Sequence, residues 1–264
     1  GTGVGKSMWL CHHAAHCLTQ NYNVLYITCE MSEERIAERI DANLLDTNIC
    51  DLKLMSKSNY NKKIENLKET VKGKLIIKEY PTATATANHF RSLLEELKLK
   101  KSFVPDIIFI DYLNICASAR LKGGNIGSYF LIKSIAEELR GLAVEHDVPI
   151  FTATQVNRSG FSNSDMGLED TSESFGLPQT ADFMFALIST EELEELKQIL
   201  VKQLKNRYND AAVNKKFILS LDRSKMKFSD VDSSQQTLIN SGQMKSEIND
   251  KFSKVSSGVD NWKF

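Results

Sequence analysis

"GVGKSMWLCHHAAHC", residues 3–17, is the stretch from which the fold can be read. Gly5, Lys6 and Ser7 stand directly before a run that reads as helix. A glycine turn ahead of a helix aims unpaired backbone N–H groups and the positive helix end at one point, which suits polyphosphate. The lysine then reaches the outer phosphates, and the serine hydroxyl ligates Mg²⁺. Gly3, Val4, Gly5, Lys6, Ser7 and Met8 are the nucleotide-binding set, with Lys6 also a catalytic cation and Ser7 a metal ligand. The pattern G-x-x-x-x-G-K-[ST] would put its first glycine one position before Gly1. The expectation is therefore a piece of a longer protein that starts inside the motif and lacks the strand feeding the loop. The alternative is a chance Gly-Lys-Ser, and a strand-turn-helix context separates the two.

The back half of the same stretch holds His12, His13 and His16 between Cys11 and Cys17. On a helix His12 and His16 share a face, as do His13 and Cys17, a spacing that can hold zinc. Yet Met8, Trp9, Leu10, Ala14, Ala15 and Leu18 surround them with apolar groups, and no Cys-x-x-Cys pair accompanies them. Helix packing, without metal, is the reading.

The chain has 264 residues, enough for one large domain or two small ones, and an ordinary globular composition. Its net charge of −1 announces no global basic field, so any nucleic-acid contact must come from a local patch. Five irregularly spaced cysteines argue for reduced thiols in a cytoplasmic compartment rather than a disulfide framework. No secretory signal or apolar run of transmembrane length is visible, and no membrane partner is expected.

Strand-like runs at residues 23–29, 74–80, 106–115 and 148–156 alternate with helix-like stretches near 33–45, 60–72, 87–101 and 128–146. Near-continuous apolar strands separated by helices predict an α/β domain whose mostly parallel sheet is covered by helices on both faces. Runs at 182–189, 198–206 and 215–222 follow with little helix between them and predict an antiparallel C-terminal extension. The domain is expected over 1–229. Residues 230–264, rich in Ser, Asn, Gln and Lys, are expected to form a flexible tail. The tail ends in "VDNWKF", which is either a docking motif or an inert end.

In a doubly wound sheet the ligand sits beyond the carboxyl ends of the strands. "IIFIDYL" puts Asp111 at such an end, where a carboxylate is costly to bury unless it faces a cation; a Mg²⁺ ligand or a hydrogen-bonded structural aspartate both fit. "NVLYITC" is followed by Glu30, the candidate base that orients and deprotonates an attacking water. Glu33 and Glu34 read instead as first-turn acids of the next helix, with Ser32 as its cap. Gln155 ends a third strand and can report a γ-phosphate, or be buried for packing alone. Lys205 and Arg207 alternate on a strand and point to one face, which by spacing alone reads as a solvated basic strand.

Taken in order, "GVGKS", "CEMS", "IDYL", "TATQVNRS", "SESFGLPQTADF" and "LVKQLKNR" resemble the ATPase domain of the replicative hexameric DNA helicases of the DnaB family, whose core is RecA-like. The resemblance spans residues 1 to about 228 and is nearest in wording to the T4-type phage branch. It implies a RecA-like P-loop NTPase core and an ATP- and Mg²⁺-dependent motor. That motor would work as a homo-hexamer on single-stranded DNA, 5′ to 3′, with a primase and a loader as partners, in a bacterial host cytoplasm if phage-encoded. It also implies that Arg207 and Lys205 enter a neighbouring subunit's ATP site as an arginine finger and its partner lysine. Two channel loops would contact DNA: residues 117–127 with Arg120, Lys122, Gly123 and Gly124, and residues 157–174 with Arg158. The family's R-E-S-G at the second loop's end reads Ser172, Glu173, Ser174 and Phe175 here, so the phosphate contacts of those four positions do not transfer, and Glu173 is expected to hold the loop rather than touch DNA. The rivals are a RecA-type recombinase and an ATP-binding regulatory or loader module that is not a motor.

Overall fold

The computed structural model describes residues 4–121, 127–155, 176–209, 215–232 and 236. Helix α1 (Lys6–Thr19) leads into strand β1 (Val24–Thr28), then α2 (Glu33–Leu44), α3 (Ile49–Leu54), α4 (Lys57–Thr70) and β2 (Leu75–Glu79). Next come α5 (Ala87–Lys101), β3 (Ile107–Asp111), α6 (Ser128–His146) and β4 (Ile150–Thr152). The C-terminal part is α7 (Gly176–Thr180), β5 (Phe183–Ile188), α8 (Glu191–Glu195), β6 (Gln198–Asn206), β7 (Lys216–Asp222) and β8 (Lys227–Asp230).

The first sheet has strand order β2-β1-β3-β4 and its paired strands are parallel. Successive residues of a strand face opposite sides, and here both sides are dry. Val24, Tyr26 and Phe109 pack under α1 and α2 with Leu10, Ala14, Leu18, Ile36 and Ile40. Leu25, Ile27, Ile108 and Ile110 pack under α5 and α6 with Phe90, Leu94, Ile135 and Leu139. Each fully buried aliphatic or aromatic side chain contributes roughly 1.5–3 kcal/mol, so this two-sided burial stabilises β1 and β3 at the centre of the sheet.

The antiparallel strands form a separate sheet, β5-β6-β7-β8, instead of continuing the hydrogen bonding of the first. Between β4 and β5 lies a cavity of about 1040 Å³ lined by Ile150, Phe151, Met184 and Phe185, with Val4, Lys6 and Trp9 of the α1 end also on its wall. Helix α1 bridges the two sheets. Its Met8 and Trp9 bury against Ile199, Val201, Leu221 and Phe228 of the second sheet, while Leu10, Ala14 and Leu18 face the first.

The three histidines lie along this bridge. His12 Nδ1 lies 3.0 Å from Asn43 Nδ2 and 3.4 Å from the Phe228 backbone N–H, and His13 Nδ1 is 2.9 Å from the Trp9 carbonyl. Burial lowers the pKa of both, that of His12 to about 4, so they serve as neutral packing groups.

The sequence reading missed β8, a four-residue strand with only one buried side chain, Phe228. The expected boundary at 229/230 falls within that strand. Beyond it, Gln236 pairs with the backbone of Ile218, while 233–235 and 237–264, most of the expected tail, lie outside the described residues. Among the described residues no helix is long and apolar enough to cross a membrane.

Candidate active site

Helix α1 begins at Lys6 after Gly5, whose φ of 106° lies in the left-handed region that glycine enters without strain. No side chain caps this helix and no acid sits in its first turn, so the amides at its start, those of Lys6, Ser7 and Met8, point outward without a side-chain cap. Such an end suits an anion. Of Met8 only this amide can serve, because its side chain is 5 % exposed and packed beside Trp9. Val4 lies on the apolar side of the same end, and Gly3 lies outside the described residues.

Asp111 is the last residue of β3 and fully buried, beside β1 on one side and β4 on the other. Tyr26 Oη donates to its Oδ2 at 3.2 Å, and Cys11 Sγ lies 3.7 Å from the same Tyr26 hydroxyl. Burial pushes the Asp111 carboxyl above the usual range, against the hydroxyls of Ser7 and Tyr26, which favour the ionised form; Glu30 adds to the rise. Its Oδ1 is buried without a hydrogen-bond partner among the described residues. A buried carboxylate oxygen left unpaired costs about 1–3 kcal/mol or more, and a hard cation would remove that cost. Asp111 and the adjoining Ser7 hydroxyl therefore fit Mg²⁺.

Glu30 follows β1. Thr28 Oγ1 donates to the Met31 carbonyl at 2.8 Å and accepts from the Met31 amide at 3.0 Å. The tight turn leaves Glu30 exposed at the strand end. It acts electrostatically on Lys6, Asp111 and Tyr112, which places all four in one corner. Burial lowers the Lys6 pKa, while Glu30 and Asp111 pull it back up.

Gln155, three residues past β4, donates from Nε2 to Tyr112 Oη at 2.7 Å. The ring of Tyr112 lies under Lys6, with Nζ 5.5 Å from its centroid. Tyr112 thus links the glutamine to the lysine, a role not assigned from the sequence. The only signal was an aromatic residue directly after a strand-end acid.

Arg207 and Lys205 are held elsewhere in the fold. Both reach the Gln179 carbonyl at the end of α7, Arg207 from Nη2 at 3.1 Å and Lys205 from Nζ at 3.4 Å, so they share a side as their spacing predicts. Arg207 also pairs with Asp182, Nη1 to Oδ1 at 2.6 Å. Arg120 is exposed and 3.5 Å from Glu137. The chain just before it is anchored by buried Glu138, which accepts from Ser118 Oγ at 2.5 Å and from the Ala119 amide at 2.8 Å. Lys122, Gly123, Gly124 and Arg158 lie outside the described residues.

A helix start without a side-chain cap, a buried strand-end aspartate and an exposed strand-end glutamate on a parallel sheet place the chain in a class by fold: an α/β domain of RecA-like architecture. Residues 1–234 match the family described as "DnaB-like helicase C terminal domain", and the chain belongs to that family. Over 235 residues it is 48 % identical to a DnaB-like replicative helicase of Enterobacteria phage T4, covering 88 % of this chain and 50 % of that protein. It is 29 % identical to a probable plasmid replicative DNA helicase of Chlamydia psittaci, covering 72 % and 42 %. The chain thus spans about half the length of the curated relatives it matches. Among solved structures, one described as an ATPase domain superposes with a TM-score of 0.72 at 19 % identity, covering 88 % of this chain and 82 % of that one. A DnaB-like replicative helicase, solved with attention to its interactions with primase, gives 0.71 at 20 %, covering 88 % and 56 %. These two likenesses concern the fold.

Proposed function

We propose that this chain is the motor domain of a replicative DNA helicase, hydrolysing ATP with Mg²⁺ at the subunit interfaces of a homo-hexameric ring to translocate on single-stranded DNA, 5′ to 3′. The observation that carries the reading is the gathering of Lys6, Ser7, Asp111 and Glu30 in one corner at the strand ends. The first-turn amides of α1 and the Lys6 ammonium bind the phosphates. Ser7 and Asp111 hold Mg²⁺, which neutralises charge developing on the phosphate oxygens. Glu30 is exposed to the solvent that supplies the nucleophile, and it orients water and accepts its proton. Gln155, through Tyr112, reports the phosphate end to the segment that follows it. Arg207 and Lys205 supply positive charge to the neighbouring subunit's nucleotide, so turnover depends on subunit contact.

Arg120, Lys122, Gly123, Gly124 and Arg158 are the proposed DNA contacts, tracking phosphates without reading sequence. A primase, which the solved neighbour's interactions support, and a loader are the proposed partners. The cytoplasm, that of a bacterial host if the protein is phage-encoded, is the proposed compartment. The test is Glu30→Gln. DNA-stimulated ATP turnover should fall by about 10³-fold while ATP still binds; turnover within twofold of the parent protein would remove the motor reading.

A further inference from the structure

We propose that Asp182 and Arg140 are positioning residues that aim Arg207 and Lys205 at the neighbouring subunit's nucleotide. This rests on the reading of Arg207 and Lys205 as cations acting in trans.

The last carbonyls of a helix have no partner within it. At the end of α7 the Leu177 carbonyl accepts the Ala181 amide, and the last three carbonyls are each taken by a cation from another element. Lys205 Nζ donates to Pro178 O at 2.6 Å and Gln179 O at 3.4 Å, Arg207 Nη2 to Gln179 O at 3.1 Å, and Arg140 Nη1 to Thr180 O at 2.8 Å. Asp182 stands between the two guanidiniums. Its Oδ2 is 2.7 Å from Arg140 Nη1 and its Oδ1 2.6 Å from Arg207 Nη1, and its carbonyl accepts the Arg207 backbone N–H at 2.9 Å. Two guanidiniums therefore meet on one carboxylate, with Lys205 on the neighbouring carbonyls, which offsets their mutual repulsion and ties Arg207 through Asp182 to Arg140 of α6.

The cluster is poised at a surface rather than sealed in a core. The Arg207 side chain is 39 % exposed, and the large side chains beside the pair in sequence, Phe183 and Tyr208, are 49 % and 76 % exposed. A cation that must act on another subunit needs a fixed place at a surface, and here the Arg207 guanidinium itself is held by Asp182 and Gln179 while its side chain stays part-exposed. Misplacing such a group by about 1 Å can cost on the order of 10²-fold in rate. Asp182 before β5 provides that hold, and Arg140 on α6 fixes Asp182.

The experiment measures ATP turnover of Asp182→Asn and Arg140→Gln rings, beside Arg207→Ala, each alone and mixed with a Lys6→Ala chain. Asp182→Asn should lower kcat about tenfold with KM for ATP within about twofold, because the loss falls on the transition state and not on the nucleotide's own cradle. Arg140→Gln should act in the same direction, and it carries the test should Asp182→Asn fail to fold. In mixed rings the Lys6→Ala chain supplies an intact cation pair to the variant's intact cradle. Turnover per functional interface should return to the parent value for all three variants.

If Arg207→Ala is inactive and rescued while Asp182→Asn and Arg140→Gln turn over normally, the positioning proposal is overturned and the trans reading stands. A loss in Asp182→Asn that mixing does not restore, beside a rescued Arg207→Ala, also overturns it, since the defect then lies within one subunit. If Arg207→Ala itself keeps full turnover, the trans reading falls and this proposal with it.

Discussion

At the Asp111 corner the carboxylate is fully buried and no cation of the chain pairs with its Oδ1 among the described residues, whereas at the Asp182 corner two guanidiniums lie 2.6–2.7 Å from the carboxylate, Oδ1 by charge contact without a directed hydrogen bond, and the side chains are 36–39 % exposed. The first is complete only when something else arrives; the second is neutralised by the chain itself. The pKa directions differ in the same sense. Burial raises the Asp111 carboxyl, and the Arg140 hydrogen bond lowers that of Asp182. A buried, under-satisfied acid stores free energy that a cation can release. A neutralised, half-open ion pair stores little, but it fixes a direction.

Replacing Asp111 with Asn tests the contrast most strongly. Turnover should fall by about 10³-fold, because the carboxylate proposed to hold Mg²⁺ is gone. The metal-free protein should nevertheless melt higher at pH 7. A carboxyl whose folded pKa is raised holds its proton more tightly folded than unfolded. Its ionisation therefore costs stability as pH rises from the unfolded value toward the folded one, and the cost persists above that. The advantage of Asp111→Asn should shrink below about pH 4. Melting curves against pH decide this, and a variant less stable than the parent at pH 7 would break the comparison.

A smaller effect is expected from Tyr112→Phe, which keeps the ring under Lys6 and deletes the hydroxyl that accepts from Gln155. Loss of one such bond is worth about 1 kcal/mol, so kcat should drop about five- to tenfold with ATP affinity unchanged. An unaltered kcat would detach Gln155 from the corner.

The smallest is the stability change in Asp182→Asn. A carboxyl with a lowered folded pKa adds stability above its unfolded value and loses it as pH falls through the folded one. For a pair this exposed the gain at pH 7 should be no more than about 1 kcal/mol, and it should vanish in acid. Denaturant titrations from pH 7 down through pH 3.8 and below follow its decline; a loss of several kcal/mol would make Asp182 a structural keystone instead.

Much of this was legible beforehand, for reasons that particular residues show. β1 and β3 were readable because β-branched apolar runs between polar breaks have few other places to go; the observed strands, Val24–Thr28 and Ile107–Asp111, sit inside the expected ranges. Ser32 caps α2 as its position predicts, accepting from the Arg35 amide, with Glu33 and Glu34 in the first turn. The placement of Lys6 at a helix start and of Asp111 and Glu30 at strand ends could be read because the motifs sit where a strand-like run stops or a helical one begins. The Gln155–Tyr112, Tyr26–Asp111 and Arg140–Asp182 pairs could not. They join residues 43, 85 and 42 positions apart, and no local pattern marks them.

By itself the amino-acid sequence determined the alternation of strand and helix, the glycine-lysine-serine helix start and the strand-end acids, because these follow from short-range periodicity and backbone conformation. Only the tertiary structure decided that the antiparallel strands form their own sheet, that α1 bridges both sheets through Trp9, and that Asp182 binds Arg207 and Arg140 together. Those outcomes depend on which surfaces meet once each element has formed, and burial and charge pairing between distant segments are properties of the assembled fold.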